Sequence, residues 1–243
     1  MSITTRTTPH GAVLTIDRQH RRNALDLATL EGLDAAVRGV VEGGARTLIL
    51  TGAGGHFCAG ADLTELEDVS FTERLAEVLG HLAGLPIVTI AAIEGSCMGL
   101  GMQLALACDV RVVAVDARFA IPVAKLGLMV DHWTIDRATR LFGEGATRHM
   151  VLTAAVLDAE DAWRLGFAQV RGGLADAEAL AERTAALAPL SQSGSKLGFE
   201  AAAESATDTT AYRNAFARAW ASSDLREGQT AFRERRTPVF EGR

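Results

Sequence analysis

Runs of apolar residues alternate with amphipathic segments along the first half of the chain. Residues 11–16, 46–51 and 87–93 are rich in apolar side chains, and each run has the length of a buried strand. Apolar residues recur at helical spacing in a segment that begins near Asp26 and in another over residues 71–82. Strands and helices that alternate in this order predict an α/β fold with a mostly parallel sheet flanked by helices.

The second half of the chain is mainly helical by the same criterion. A helix is predicted over residues 102–108, and two short extended runs follow at 110–114 and 118–121. Residues 135–187 are mainly helical, with Asp158 as the predicted N-cap of one helix. Residues 191–243 are helical and amphipathic throughout, which is typical of a C-terminal extension that packs on a partner subunit.

Composition and charge exclude several classes of protein. Of the 243 residues, 48% are hydrophobic, which indicates a globular chain with a sizeable core. The net charge of -6 argues against nucleic-acid binding, since that requires a basic surface. No targeting segment is visible and the longest apolar runs are far below the ~20 residues that span a bilayer, so we expect a soluble protein without membrane insertion. The three cysteines lack CxxC spacing and favour a cytoplasmic location.

Two glycine-rich turns are the first candidates for chemistry. They cover residues 52–62 and 95–101, and each connects a predicted strand to a predicted helix. Glycine permits backbone conformations that leave N–H groups unpaired and lets a ligand approach the chain closely. Two such turns at neighbouring strand ends predict a pocket whose N–H groups stabilise negative charge developing on a ligand oxygen. The alternative is that both turns are tight connections without a ligand.

Motifs for common cofactors and metals are incomplete. A dinucleotide-binding turn would need a third glycine after Gly99 and Gly101, where this chain has Leu104. The sequence contains neither a phosphate-binding loop nor a serine nucleophile elbow. His56 and Cys58 stand two positions apart without a third ligand nearby in sequence, so no metal site is predicted.

The order of several short motifs resembles that of the enoyl-CoA hydratase/isomerase family, also called the crotonase family. Each motif is loose by itself, but together they extend over essentially the whole chain. They are residues 21–25, 48–52, 57–63, 99–109, 119–122, 125–127 and 231–240. The chain is similar in particular to actinobacterial members labelled as enoyl-CoA hydratases.

The resemblance implies a crotonase-like spiral of ββα units over residues 1–190 and a helical trimerisation region over 191–243. It implies a homotrimer or a hexamer formed by two trimers. The ligand would be a coenzyme A thioester, used as substrate or bound ligand, with no permanently bound cofactor. By the family pattern, the N–H groups of Ala61 and Leu100 hold the thioester oxygen. The residues that would line the coenzyme A are Arg22, Ala24, Ala59, Ala61 and Leu63.

Two positions depart from the hydratases of the family. Those enzymes use two glutamates that share the catalytic water, and this chain has Gln103 and Val123 at the corresponding positions. Hydration needs a base to activate water and an acid to protonate the α-carbon. Gln103 can hydrogen-bond a water but cannot take its proton, and Val123 can do neither. The resemblance therefore predicts that efficient hydration of a 2-enoyl-CoA is absent.

Asp131 is the remaining candidate for acid–base chemistry. It falls where the dienoyl-CoA isomerases and chlorobenzoyl-CoA dehalogenases of the family have an essential aspartate. The alternatives are that it caps a helix beginning near His132 or hydrogen-bonds a ligand. His132 and Trp133 are expected in the wall of the acyl pocket or in the core.

Three hypotheses of function remain open. The chain is an isomerase of acyl-CoA thioesters that uses Asp131, or an acyl-CoA binding or carrier protein without turnover. The third is a hydratase whose catalytic groups lie at other positions. All three place the protein in fatty-acid metabolism through the class of ligand.

Overall fold

The structure is a computed structural model that describes residues 2–62, 70–203 and 210–243. Leu63, one of the predicted coenzyme A positions, lies outside these ranges. The strands are β1 (Ile3–Thr8), β2 (Gly11–Ile16), β3 (Thr47–Gly52), β4 (Val88–Ile93), β5 (Ser96–Met98), β6 (Val110–Val113), β7 (Arg118–Ala120), β8 (Leu157–Asp158) and β9 (Val170–Arg171).

Helices follow most of these strands. They are α1 (Leu27–Glu42), α2 (Ser70–Ala83), α3 (Leu100–Ala107), α4 (His132–Phe142), α5 (Glu144–Thr153), α6 (Ala159–Arg164), α7 (Leu174–Ala185), α8 (Pro189–Ala203), α9 (Thr210–Ala221) and α10 (Ser223–Glu234). Short 3-10 helices cover Gln19–Arg21 and Val123–Leu126.

The larger sheet has six strands in the order β1-β2-β3-β4-β6-β9. Only the β1–β2 pair is antiparallel, which agrees with the predicted mostly parallel sheet. Residues 11–16 form a strand as predicted, but they are the second strand and not the first, because β1 precedes them. β1 lies at the sheet edge with four of its six residues exposed, so its sequence lacks the apolar signal of a buried strand.

A second, three-stranded sheet has the order β5-β7-β8. β5 lies within the glycine-rich segment 95–101, which the sequence predicts only as a turn. It is three residues long, too short to give a periodic pattern, and it forms by pairing in parallel with β7. This small sheet supports the start of α3.

Apolar side chains pack on both faces of the large sheet. On one face α1, α2 and α3 contribute to a continuous core that includes Leu30, Leu79 and Leu104. On the other face α7 packs Ala177 and Ala181 against the sheet. Coverage of both faces is what a largely parallel sheet requires.

An ion-pair cluster fixes α2 on α1. The buried Asp34 carboxylate accepts hydrogen bonds from His81 Nδ1 at 2.8 Å and from the Arg74 guanidinium at 2.6 Å. Burial raises the pKa of Asp34, but the hydrogen bonds from His81, Arg74 and Arg38 outweigh that effect and leave this pKa below its ordinary value. The carboxylate therefore stays charged and holds the two helices together.

The C-terminal segment is helical only as far as Glu234. The prediction of a helix to residue 243 is wrong beyond this point, because Arg235 adopts a left-handed conformation with φ 56°. The chain then turns back, and the buried Asp224 carboxylate accepts hydrogen bonds from the backbone N–H groups of Glu241 and Gly242. Among the residues that the structure describes, no helix is long and apolar enough to cross a membrane.

Candidate functional site

The two glycine-rich turns lie side by side. Cys58 and Cys97 form a parallel bridge, in which Cys58 N donates to Ser96 O at 2.9 Å and Met98 N donates to Cys58 O at 2.9 Å. Beyond this bridge a Cβ added at Gly60 would lie 3.3 Å from Met98 O and 4.0 Å from the backbone N of Leu100. Residues 60–61 and 99–100 are therefore neighbours across the bridge.

Neither predicted N–H donor has a protein acceptor within the described part of the chain. Leu100 is the first residue of α3, so its N–H has no acceptor within the helix. Among the described residues, neither the N–H of Leu100 nor that of Ala61 donates to a protein oxygen. The structure thus brings together two N–H groups that lie far apart in the sequence.

The start of α3 depends on two glycines. Gly99 is the N-cap with φ 51°, in the region that other residues rarely adopt. A Cβ at Gly101 would lie 2.2 Å from Cys58 O, so only glycine lets the first turn of α3 approach the bridge this closely. All eight residues of α3 are buried. The partial positive charge of its N-terminus is therefore little screened by water.

Gln103 belongs to a hydrogen-bond network with the start of α4. Its Nε2 donates to Thr134 Oγ1 at 2.8 Å and to Asp131 Oδ2 at 3.2 Å. The Thr134 hydroxyl donates to Asp131 Oδ2 at 3.1 Å, and Thr134 N donates to Asp131 Oδ1 at 2.7 Å. Asp131 is thus the N-cap of α4, which confirms the capping alternative.

The direction of each bond in this network is determined by chemistry. An ionised carboxylate only accepts hydrogen bonds, so the Thr134 hydroxyl donates to Asp131 and accepts from the Gln103 amide. Both N–H bonds of that amide are then used. No described residue donates to Gln103 Oε1, which leaves this oxygen as an acceptor. Gln103 lies three residues after Leu100 and therefore on the same face of α3.

The other residues predicted near this site are Val123, Trp133 and His132. Val123 is half-buried, packs against the core and begins the 3-10 helix Val123–Leu126. Trp133 is half-buried beside the core, and the Arg137 guanidinium lies 4.7 Å from the centre of its ring. His132 is exposed. Of these three side chains, only Val123 and Trp133 contact the core.

The four predicted coenzyme A positions that the structure describes form one strip of backbone. Ala59 N donates to Arg22 O at 3.0 Å, and Leu25 N donates to Gly60 O at 2.9 Å. Arg22 is exposed, whereas Ala24, Ala59 and Ala61 are half-buried. These four positions are therefore close together and lead towards the two free N–H donors.

Arg18 and Asp62 connect this strip to α1. Arg18 pairs with Asp26 at 2.8 Å and with Asp62 at 3.2 Å, and all three side chains are largely buried. Burial raises the pKa of Asp26. The hydrogen bonds from Thr29 and the charge of Arg18 outweigh that effect, so the pKa of Asp26 falls below its ordinary value. The role of Arg18 was not predicted from the sequence, because one of its two carboxylate partners, Asp62, lies 44 positions away.

Asn23 is a second residue whose role was not predicted from the sequence. It is fully buried with φ 62°, and its Nδ2 donates to Ala53 O at 2.8 Å and to His56 O at 2.6 Å. Its Oδ1 accepts from Arg18 N at 2.9 Å. Asparagine tolerates this left-handed conformation better than most residues, which is the only local signal for its role.

We expect Asn23→Ala to lower the free energy of unfolding by about 3 kcal/mol, because it removes these bonds and leaves buried carbonyl groups unpaired. It should also weaken ligand binding, since the same turn carries Arg22 and Ala24. Urea unfolding measures the first effect. Gln19→Ala, at an exposed neighbouring position, is the matched control and should change stability by less than about 0.5 kcal/mol. Equal stability of the two variants would contradict this role.

Thiol and metal chemistry find no support at this site. Burial raises the pKa of the Cys58 and Cys108 thiols to about 12 and raises that of Cys97 well above its ordinary value. Thiols in this environment are poor nucleophiles. The part of the chain that the structure describes holds no group of three or more potential His, Cys, Asp or Glu metal ligands.

Comparison with known proteins identifies the family. The family model described as enoyl-CoA hydratase/isomerase matches residues 10–243. This chain belongs to the enoyl-CoA hydratase/isomerase family. It is 43% identical over 236 residues to "Probable enoyl-CoA hydratase echA6" of Mycobacterium tuberculosis, covering 95% of this chain and 96% of that protein. It is 32% identical over 240 residues to a short-chain-enoyl-CoA hydratase of Clostridium acetobutylicum, covering 93% and 92%.

Solved structures of the enoyl-CoA hydratase/isomerase family share the fold. An enoyl-CoA hydratase from Bacillus anthracis superposes with a TM-score of 0.91 at 28% identity and covers 100% of both chains. An enoyl-CoA hydratase/carnithine racemase from Magnetospirillum magneticum gives 0.92 at 27% identity, covering 100% of this chain and 96% of the other. The crotonase-like fold is therefore confirmed, and both glycine turns and α3 lie within it.

Proposed function

We propose that this family member binds acyl- and enoyl-CoA thioesters of fatty-acid metabolism and does not hydrate them efficiently. The observation that carries the proposal is the polar arrangement along one face of α3. Leu100 is the first residue of α3, and its free N–H lies beside that of Ala61. The next polar group on the same face of α3 is the Gln103 amide rather than a carboxylate.

The two N–H groups suit a thioester oxygen. Paired backbone donors at the start of a buried helix stabilise a partial negative charge on that oxygen. Loss of one such donor costs an enzyme about 3 kcal/mol of transition-state stabilisation. In a binding protein the same groups fix the position of the thioester without any chemical step.

Hydration requires proton transfers that these side chains do not support. The Gln103 amide donates both of its N–H bonds to Thr134 and Asp131, so its oxygen can orient a water but cannot remove a proton from it. The Val123 side chain has no polar atom. In the family's hydratases, glutamates occupy these two positions, and we infer that their absence removes the general acid and base.

Asp131 supports a second candidate function, isomerisation of an enoyl- or dienoyl-CoA. Its carboxylate is exposed and contacts Gln103, one helical turn from Leu100, so it lies close to the proposed thioester site. Both of its oxygens already accept hydrogen bonds that hold α4, and removal of a substrate proton would compete with them. For this reason we favour binding or transport over turnover.

Coenzyme A would extend from the two donors along Arg22, Ala24, Ala59 and Ala61, with Leu63 as a further predicted contact. The backbone strip that joins these described positions supports this path. His132 and Trp133 would border the acyl chain near Asp131. No permanent cofactor or metal enters the proposal, and the free, buried cysteines suit a cytoplasmic setting.

Assembly into a homotrimer or a hexamer through residues 191–243 is part of the proposal. Tyr212, Phe216 and Trp220 recur every four residues on α9, with 37%, 52% and 65% of each residue exposed. Their ring centroids lie 6.5 and 5.7 Å apart along the helix. A continuous exposed aromatic surface of this kind is typical of a subunit interface.

Mass spectrometry in heavy water tests the function. We expect 2-enoyl-, 3-enoyl- and 3,5-dienoyl-CoA to bind measurably and to be recovered without hydration or deuterium, because neither the Gln103 amide nor the Val123 side chain can act as a base. Rapid formation of a deuterated hydration product would contradict the proposal. Deuterium exchange or isomerisation that disappears in Asp131→Asn would instead establish the second candidate, and binding by that variant would show that the pocket is intact.

A further inference from the structure

A buried arginine occupies the end of α3 opposite to Leu100. Arg111, the second residue of β6, is 2% exposed. Among the described residues, its guanidinium donates only to backbone carbonyl oxygens. The acceptors and distances are Phe167 O at 2.7 Å, Cys108 O at 2.8 Å, Ala105 O at 3.1 Å and Asp109 O at 3.1 Å.

The environment of Arg111 is unusual for a charged side chain. Burial lowers the pKa of Arg111 to about 10, so the group remains a cation at neutral pH. Within the described ranges no carboxylate pairs with it. The nearby Asp109 carboxylate pairs with Lys196 at 2.6 Å, and Arg137 pairs with Glu200. A buried cation without an acidic partner is costly, so its retention requires a compensating interaction.

The C-terminal end of α3 supplies that interaction. The last carbonyl groups of a helix have no donor within the helix, and burial of this end excludes water as a substitute. Arg111 donates to Ala105 O, and Arg137 NH1 donates to Leu106 O at 3.2 Å. At the other end, the N–H of Leu100 has no acceptor among the residues that the structure describes. The protein therefore satisfies one end of α3 and leaves the other end for a ligand.

We propose that Arg111 is a positioning residue of the thioester site, which rests on the function proposed above. It anchors the carbonyl end of α3 against Phe167 and the start of β6, which fixes where the Leu100 N–H lies along the helix axis. Its positive charge also offsets the negative end of the helix dipole, so that the positive end acts fully on the bound oxygen. A short helix that is buried along its whole length transmits both effects.

Infrared spectroscopy of a bound thioester tests this role. The probe is hexanoyl-CoA labelled with carbon-13 at the thioester carbonyl, whose stretching frequency falls when hydrogen bonds polarise it. We expect the full downward shift with the unaltered protein and most of it with Arg111→Lys, which keeps the charge. In Arg111→Met the frequency should return most of the way to that of the free ligand, with about fivefold weaker affinity.

Arg46→Met is the matched control. Arg46 donates to Leu187 O at 2.8 Å and to Phe240 O at 3.5 Å, so this variant also loses an arginine bound to carbonyl groups, but neither acceptor belongs to α3. We expect it to keep the full carbonyl shift even if its stability falls. A full shift in folded Arg111→Met would overturn the proposal.

Two further outcomes are decisive. If Arg111→Met does not fold, Arg111→Lys still tests the role of the charge. A carbonyl frequency in the lysine variant equal to that of the free ligand would overturn this role. If hexanoyl-CoA shows no shift or no binding with the unaltered protein, the proposed thioester site is itself wrong. That result is distinct from an unchanged shift in an Arg111 variant, which overturns only the role of Arg111.

Discussion

Gly101→Ala should abolish thioester binding and lower the free energy of unfolding by about 3 kcal/mol. The added Cβ would lie 2.2 Å from Cys58 O, a backbone atom that also accepts the hydrogen bond from Met98 N. Relief of this overlap requires α3 to move away from the Cys58–Cys97 bridge. Because that bridge aligns the Ala61 and Leu100 donors, the same movement separates them. Urea unfolding and calorimetric titration with hexanoyl-CoA measure the two effects.

Gly39→Ala is the control for this substitution. Gly39 lies within α1, and a Cβ there would meet nothing within 4 Å. Alanine favours the helix over glycine by about 1 kcal/mol, so this variant should be slightly more stable than the unaltered protein and should bind normally. Normal affinity in Gly101→Ala would show that the two N–H groups do not depend on the close approach of α3.

Gln103→Glu should destabilise the protein by about 2 kcal/mol at pH 8 and by much less at pH 4. The new carboxylate would replace a donor that lies 3.2 Å from Asp131 Oδ2. Two carboxylates this close retain a shared proton in the folded state, whereas the unfolded chain releases it above about pH 4.5. Folding of the variant therefore takes up a proton, and its stability relative to the unaltered protein falls as the pH rises. Thermal unfolding across pH measures the difference.

The double variant Gln103→Glu with Asp131→Asn is the matched control. It exchanges the amide and the carboxylate, so one group can again donate to the other and the pH-dependent loss should largely disappear. Asparagine also remains a good N-cap for α4. A pH dependence equal to that of the single variant would show that Asp131 and Gln103 are not coupled.

Addition of Val123→Glu to Gln103→Glu tests the proposed loss of catalytic carboxylates, and restored hydration would support it.

Parts of the site with local signals could be predicted from the sequence. Asp131 was identified as a possible cap because an aspartate before an amphipathic segment commonly accepts bonds from the first helical turn, and Thr134 N provides that bond. The glycine turns were identified because glycine permits conformations such as φ 51° at Gly99. The roles of Asn23 and Arg18 could not be predicted in this way, because Asn23 bonds carbonyl groups 30 and 33 positions away and Arg18 pairs with Asp62, 44 positions away.

The sequence by itself determined the α/β class, the order of the buried strands along the chain and the positions of two glycine turns. These features depend on apolar periodicity and on the backbone freedom of glycine, both of which involve only a few neighbouring residues. Only the tertiary structure decided how those turns align, that Gln103 donates to an aspartate 28 positions away, and that Arg111 bonds a carbonyl 56 positions away. Such contacts arise when packing brings distant segments together in a buried space. There, each polar group must find a partner, and the fold determines which partners are within reach.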